Sequence, residues 1–98
     1  MAHDCHALNC GTPVPPRMHM CKPHWRMVPR RLQSALWAAY VPGQERRMSP
    51  SFEYLRAAAA CVRSVAEQEG QPPDQIDAEC DLYLTWAEML TEEADDGA

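Results

Sequence analysis

The sequence contains few of the large apolar residues that fill most protein interiors. Leu, Ile, Val and Phe together number fourteen among 98 residues, with a single Phe. That share lies below the level of about 20% at which chains tend toward disorder. Fourteen Ala supply much of the 46% hydrophobic content, and a chain of this length buries only about 60–65% of its unfolded surface. We therefore expect the fold to need a metal ion, disulfides or a partner.

Long apolar runs are absent, and so is the pattern of a secretion signal. No segment approaches the ~18–20 apolar residues that cross a membrane, which predicts a protein without a membrane partner. Residues 1–6 lack the basic and then apolar regions of a signal peptide. We therefore expect a cytoplasmic protein, in a compartment where disulfides are rare. Five cysteines, an odd number, also disfavour a closed disulfide framework.

The N-terminal quarter is instead rich in Cys, His and Pro. It contains the spacing C-x4-C-x10-C-x2-H, and two close pairs of ligands with a spacer between them are typical of a tetrahedral structural zinc site. The predicted Zn²⁺ ligands are Cys5, Cys10, Cys21 and His24. Two alternatives stay open: His3, His6 or His19 could replace one of these ligands, or the thiols could be free.

The order of the ligands also suggests a fold for this segment. Gly11 follows the second cysteine, where a metal knuckle needs a permissive backbone. A short hairpin or loop through residues 12–20, and then a helix that opens with the last two ligands, would give the order of a treble-clef zinc finger. The four-residue gap in the first pair departs from the usual two. Four protein ligands leave no position for water or substrate, so we expect that the protein is not an enzyme.

Three helices are predicted after the last ligand pair, over 29–40, 50–69 and 74–93. Pro29 is typical of a first helical turn, and Ser49 with Pro50 is typical of a cap followed by a first-turn proline. Gly70 is expected just beyond the end of the second helix, and Asp74 is expected to cap the third.

The short connection between the last two helices predicts an antiparallel hairpin. We therefore expect a mainly α fold, in which a small N-terminal zinc-knuckle module is followed by about three helices. The domain prediction is a zinc-binding knuckle plus first helix over 1–41, a linker over 42–50 and an acidic helical hairpin over 51–98. The alternative is one packed domain.

The charge is divided unequally along the chain. Residues 1–47 carry seven Lys and Arg against two acids, which gives +5, and residues 48–98 carry two Arg against twelve acids, which gives −10. This asymmetry predicts a basic surface for phosphate. The predicted nucleic-acid-binding residues are Arg17, Lys22, Arg26, Arg30 and Arg31. The alternative is that these residues form an ordinary solvated face or pair with the acidic half.

The tryptophans and the two remaining cysteines also allow two interpretations. Trp25, Trp37 and Trp86 could stack on bases or enter a partner's pocket, but core packing is the expectation for each of them. Cys61 and Cys80 lie on the apolar faces of the second and third helices. Buried structural roles are expected for both, rather than redox chemistry or metal binding.

The segment from Cys5 to Tyr40, above all 20–29 (MCKPHWRMVP), resembles small proteins encoded by bacteriophages and prophages. Those proteins pair an N-terminal cysteine motif with a Cys-x-x-His-Trp segment and a proline-led helix. The resemblance continues weakly into the second helix and covers about two thirds of the chain. It implies a phage origin, metal binding and a bacterial host cell. Small phage proteins of this kind are often regulators or inhibitors of host machinery, which is an association rather than a physical argument.

These observations favour a non-enzymatic, zinc-stabilised binding or regulatory protein that contacts nucleic acid through its basic N-terminal surface. The alternative is a protein-interaction module, such as a phage inhibitor of a host defence or transcription complex, that acts through the acidic helical hairpin. In that case the apolar stripe around Trp86 would meet a host protein or form a homodimer.

Overall fold

The computed structural model describes residues 3–15, 18–40 and 51–96, so the predicted linker over 42–50 and the basic residue Arg17 lie outside the described residues. The elements, in chain order, are the strands β1 (His3–Asp4) and β2 (Pro13–Val14) and the helices α1 (Lys22–Met27), α2 (Arg30–Ala39), α3 (Phe52–Gln68) and α4 (Pro73–Asp96). The fold is mainly helical, as predicted. Within the described ranges, no helix is long and apolar enough to cross a membrane.

The two strands form a short antiparallel ladder that encloses the first pair of cysteines. The paired residues are His3 with Val14 and Asp4 with Pro13. Of the two predictions for residues 12–20, a short hairpin or a loop, the described residues agree with the loop, because β2 pairs with the earlier strand β1 and not with a strand of its own segment. Strands of two residues are too short to leave an alternating pattern in the sequence.

A proline divides the predicted first helix from a shorter helix before it. Pro29 has no N–H and a fixed φ, so α1 and α2 are separate helices. α1 is the helix that the last two ligands were predicted to open, and with it the described chain has four helices. Two side chains satisfy carbonyls at the end of α1: Gln33 Nε2 donates to Trp25 O at 2.8 Å, and Gln68 Nε2 donates to Met27 O at 2.8 Å. These hydrogen bonds fix α1 against α2 and α3.

The starts of the two long helices differ slightly from the prediction. The Ser51 hydroxyl accepts a hydrogen bond from Tyr54 N at 3.1 Å, so the cap of α3 is Ser51. The predicted cap Ser49 and the proline after it lie outside the described residues. α4 already begins at Pro73, and Asp74 lies inside its first turn instead of capping it. A carboxylate in a first turn still stabilises the helix, because it faces the positive end of the helix dipole.

The end of α3 follows the prediction. Gly70 has a φ of 70°, its N–H donates to Glu67 O at 3.1 Å, and Gln71 N donates to Ala66 O at 3.0 Å. This pair of hydrogen bonds is the Schellman motif, in which glycine takes the left-handed position after the helix. The motif also sets the position of Glu69, the C-cap of α3.

Contacts along α3 and α4 run in opposite directions. Arg63 pairs with Asp77 at 3.0 Å, and the Cys80 thiol donates to Ala59 O at 3.6 Å. The predicted antiparallel hairpin is therefore confirmed.

The core lies on both sides of α3. One cluster joins buried side chains of α3 to the N-terminal region, and its largest fully buried members are Met20, Leu36, Val62 and Val65. A second cluster joins the other side of α3 to α4 through Ala59, Ala66, Ile76 and Cys80. The alanines of α3 allow neighbouring elements to approach closely on two faces, which compensates for the shortage of large apolar residues.

Candidate metal centre

Four side chains of the N-terminal region converge on one point. The ligand atoms of Cys5, Cys10, Cys21 and His24 all lie within 4.8 Å of one another, in a group that could hold a metal ion. Cys5 and Cys21 are buried, and Cys10 and His24 are half-buried. These are the four residues that the spacing indicated.

Two distances in this group are near those that a shared ion requires. Cys21 Sγ lies 3.2 Å from His24 Nδ1, and Cys5 Sγ lies 3.6 Å from the same nitrogen. An ion with bonds of about 2.3 Å to sulfur and about 2.0–2.1 Å to nitrogen separates its tetrahedral ligands by about 3.6–3.8 Å. The side chains are therefore arranged closely enough to bind one ion together.

Local structure explains how each ligand reaches the group. Cys5 directly follows β1, and Cys10 lies at the end of a loop in which Asn9 has a φ of 65°. Asn tolerates this left-handed conformation, so Asn9 is the permissive residue here rather than Gly11. Cys21 is the N-cap of α1, and His24 lies three residues later, on the same face of the helix.

Polar groups surround the sulfur atoms. Cys5 Sγ accepts hydrogen bonds from Cys21 N at 3.2 Å and Ala7 N at 3.5 Å. Burial raises the pKa of the Cys5 thiol to about 11. Cys10 Sγ lies 3.4 Å from Thr12 Oγ1, and hydrogen bonds that the side chain and backbone of Thr12 donate to the thiolate lower the pKa of Cys10 to about 7. A bound cation would stabilise the thiolates, because metal binding displaces the thiol protons.

The second nitrogen of His24 has a carboxylate partner. His24 Nε2 lies 3.0 Å from Glu69 Oε2, at the end of α3. Burial alone lowers the pKa of His24, but hydrogen bonds to Glu69 and Cys21 outweigh this effect and the pKa is raised. A histidine that binds a metal commonly donates its other ring N–H to a carboxylate, and this hydrogen bond fixes which nitrogen faces the ion. Glu69 was not predicted, because it lies 45 residues away in sequence.

The other histidines form a separate stack. The His3 and His6 rings lie 4.7 Å apart and the His6 and His19 rings 4.9 Å apart. His19 is buried, and its Nε2 has no hydrogen-bond partner among the described residues. In the described part of the chain, neither His3 nor His6 belongs to the group that could hold a metal.

Four of the five residues predicted to bind nucleic acid lie on α1 and α2, and the fifth, Arg17, is outside the described residues. Lys22 and Arg26 are exposed on α1, four residues apart, and Arg30 and Arg31 are exposed on α2. None of these four forms an ion pair with any part of the chain that the structure describes. The acidic hairpin therefore leaves the cations of α1 and α2 accessible over the described ranges.

Two of the three tryptophans are more exposed than the core-packing expectation predicts. Trp25 is half-buried against the first core cluster, but Trp37 is 45% exposed and Trp86 is 38% exposed. Each of the exposed pair lies beside a buried residue of its own helix, Leu36 on α2 and Ala87 on α4.

The two remaining cysteines are buried, as predicted. The Cys61 thiol donates to Leu32 O at 3.8 Å and the Cys80 thiol donates to Ala59 O at 3.6 Å. Burial raises the pKa of Cys61 to about 11. Both cysteines therefore pack as small apolar residues.

The cluster of three thiols and one imidazole is thus the main chemical feature of the described chain. It joins the N-terminal loop to α1, and Glu69 connects it to the end of α3. Comparisons with protein-family models, with curated proteins and with solved structures found no match for this chain.

Proposed function

We propose that this chain is a non-enzymatic, zinc-stabilised binding protein that contacts nucleic acid through the exposed cations of α1 and α2. The proposal rests on the exposure of these cations and on their lack of acidic partners among the described residues. The four cations are Lys22, Arg26, Arg30 and Arg31. A regulatory role and a bacteriophage origin are part of the proposal, and they rest on the resemblance of residues 5–40.

Zinc is the ion that best suits the donor set. Thiolate and imidazole ligands in a tetrahedral group are typical of structural Zn²⁺ sites, and the ligand atoms here lie within 4.8 Å of one another. Four protein ligands would fill the coordination sphere and leave no place for a reacting water. This closed set supports a stabilising ion rather than a catalytic one, in an arrangement of the treble-clef type.

The ion would act on the basic surface through α1. Cys21 caps this helix and His24 lies within it, so two ligands fix the helix that also carries Lys22 and Arg26. A rigid array of cations loses less conformational entropy when it binds phosphate than flexible side chains on a loop do. Arginine is suited to this role because its guanidinium binds phosphate oxygens in pairs.

Metal content tests the first half of the proposal. Elemental analysis of the purified protein should find one zinc per chain, and a chelator should reduce the helical signal in circular dichroism. A folded sample without a stoichiometric transition metal would refute this half.

Binding to nucleic acid tests the second half. Fluorescence anisotropy with labelled oligonucleotides should give an affinity that falls steeply as salt rises, because phosphate contacts release counterions. The double variant Arg30→Glu/Arg31→Glu should abolish binding. The double variant Arg56→Glu/Arg63→Glu changes the net charge by the same amount, but on α3, where both arginines are exposed. It should retain most of the nucleic-acid binding. Equal losses in both variants would mean that net charge rather than this surface is responsible.

The exposed apolar stripe of α4 favours a second candidate function, binding of a protein partner. Leu82, Trp86 and Met89 are 67%, 38% and 55% exposed, and their spacing of four and three residues places them on one helical face. α4 contains no Lys, Arg or His, so its preferred partner would be basic. A host protein retained by wild-type protein after nuclease treatment, and lost in Leu82→Ser/Met89→Ser, would support this function. Gel filtration would reveal a homodimer instead.

A further inference from the structure

Trp37 is the most exposed tryptophan of the molecule's described part, yet its orientation is fixed. The indole is 45% exposed. It makes edge contacts with Trp25 at 6.3 Å and with Tyr40 at 5.4 Å, at interplanar angles of 78° and 77°. Edge-to-face contacts of this kind hold a ring in place. An apolar ring that is both rigid and accessible is a ready surface for another flat group.

The outer face of α2 carries a cation as well as this ring. Arg30, Ser34 and Trp37 follow one another at intervals of four and three residues and are all exposed, so they share one helical face. Leu36, on the inner side, is only 1% exposed. Seven residues correspond to about 10 Å along a helix. The long Arg30 side chain and the indole are therefore close enough to contact neighbouring units of one extended ligand.

A small cleft beside the ring limits what kind of contact is possible. Met18, His19, Met20, Trp25 and Trp37 line a cleft of about 30 Å³, which has room for no more than a few water molecules. A nucleobase is much larger than that. A base therefore meets this surface by stacking on the indole rather than by entering a pocket.

Building on the proposed function, we infer that the nucleic acid recognised by α1 and α2 is single-stranded and that Trp37 stacks on an unpaired base. Stacking on aromatic side chains combined with a basic groove is the general mode of single-strand binding, because unpaired bases offer their faces. The bases of a duplex are already stacked on each other.

The net negative charge of the chain also favours a single strand over a duplex. Duplex DNA carries one negative charge per about 1.7 Å of axis, and this chain has a net charge of −5 with an acidic hairpin. A duplex would bring more phosphate near the acidic helices than a flexible single strand that follows only the basic face. Stacking also has little dependence on base identity, so binding is expected to be tolerant of sequence.

The test compares two exposed tryptophans. Labelled oligo(dT) of about 16 nucleotides, the upper end of common single-strand sites, and a duplex of the same length are titrated with wild-type protein by anisotropy. The wild type should bind the single strand at least about tenfold more tightly. Trp37→Ala should weaken single-strand binding by about 5- to 150-fold, the range of one stacked base, and should leave duplex binding unchanged. Trp86→Ala, at a similarly exposed tryptophan on α4, should bind like wild type.

Further variants separate stacking from folding. Trp37→Phe keeps an aromatic ring and should retain part of the affinity, whereas Trp37→Leu keeps apolar volume without a ring and should behave like Trp37→Ala. Metal content and circular dichroism should match wild type in each. Quenching of tryptophan fluorescence by oligo(dT) should be present in wild type and Trp86→Ala and absent in Trp37→Phe.

The possible failures are distinguishable. Equal affinity for both oligonucleotides, or single-strand binding unaffected in Trp37→Leu, would overturn the inference and leave nucleic-acid binding intact. Absence of binding to either oligonucleotide would overturn the proposed function together with this inference. Retention of a protein partner through α4 in that case would support the second candidate instead.

Discussion

The N-terminal region (residues 3–40) and the hairpin of α3 and α4 (residues 51–96) are held together by different means. The hairpin has helices of 17 and 24 residues, with a capped start, a Schellman end and a small-residue core. The N-terminal region has two-residue strands and helices of 6 and 10 residues. Isolated helices shorter than about 12–15 residues are marginal in water. We therefore expect the first region to depend on its metal group as well as on the core that it shares with α3, and the hairpin to depend on packing.

The two regions meet through polar contacts at the end of α3 and through an apolar core along that helix. Gln68 and Glu69 bond to Met27 and His24 of α1, and Asn9 Nδ2 donates to Gln71 Oε1 at 3.0 Å. The first core cluster adds apolar contacts between α2 and α3. A change at the metal group should therefore unfold the N-terminal region first, while a change in the shared core should affect both regions.

The largest expected effect comes from loss of a metal ligand. Cys21→Ser, or removal of the ion by a chelator, should unfold the N-terminal region. Structural zinc sites contribute about 10–16 kcal/mol, which is as large as the whole stability of a typical domain, about 5–15 kcal/mol. α1 and α2 are the shorter helices, so circular dichroism should show partial loss of helix while the hairpin persists.

A buried cysteine outside the metal group is the control for this prediction. Cys80→Ala should keep full metal content, because Cys80 lies between α3 and α4. A Cys21→Ser protein with wild-type helicity and wild-type resistance to proteolysis would contradict the idea that the ion holds this region.

The next effect in size concerns the core that the two regions share. Leu36 is 1% exposed and belongs to the cluster with Val62 and Val65 of α3. Leu36→Ala should lower the free energy of unfolding by about 2–5 kcal/mol, measured by urea denaturation of the metal-bound protein. Leu82→Ala, at a leucine that is 67% exposed, should change it by no more than about 0.5 kcal/mol. Two separate unfolding transitions, with only one shifted by Leu36→Ala, would show that the regions do not share a core.

A smaller effect is expected where the hairpin supports the metal group. Glu69→Ala should weaken metal affinity by about 10- to 100-fold, the usual range for loss of a partner of a metal-binding histidine. Glu69→Gln keeps a hydrogen-bond acceptor and should lose less. The affinity is measured by competition with a chelator of known strength.

Glu67→Gln is the matched control, because Glu67 is exposed near the end of the same helix and makes no hydrogen bond or ion pair with the N-terminal region within the described residues. If Glu67→Gln and Glu69→Ala weaken metal binding equally, the effect is one of general charge and not of the contact with His24.

Local sequence signals predicted much of this arrangement. The four metal-group residues were identified because ligand spacing depends on short segments, and the hairpin was identified because Gly70 and the following prolines mark a turn. Glu69 could not be found in this way, since its contact with His24 depends on how α3 packs against α1.

The exposure of Trp37 was also missed. Its place beside the apolar stripe of α2 suggested packing, but Leu32 and Leu36 already fill the inner side of that helix. Periodicity indicates which residues are apolar neighbours, and it does not indicate how wide a face the neighbouring helix covers. The pairing of β1 with β2 was missed because two residues carry no pattern.

The smallest effect tests how the turn after α3 supports the metal group. Gly70 has a φ of 70° and an added Cβ would meet no atom within 4 Å, so Gly70→Ala introduces backbone strain alone, roughly 1–2 kcal/mol. Gly11 also has open space around it but no positive φ, so Gly11→Ala should be neutral or stabilise by up to about 1 kcal/mol. Urea midpoints measure both. Because Gly70 adjoins Glu69, Gly70→Ala should also weaken metal binding slightly. If Gly11→Ala and Gly70→Ala lose the same stability, the left-handed turn is not the cause of the loss.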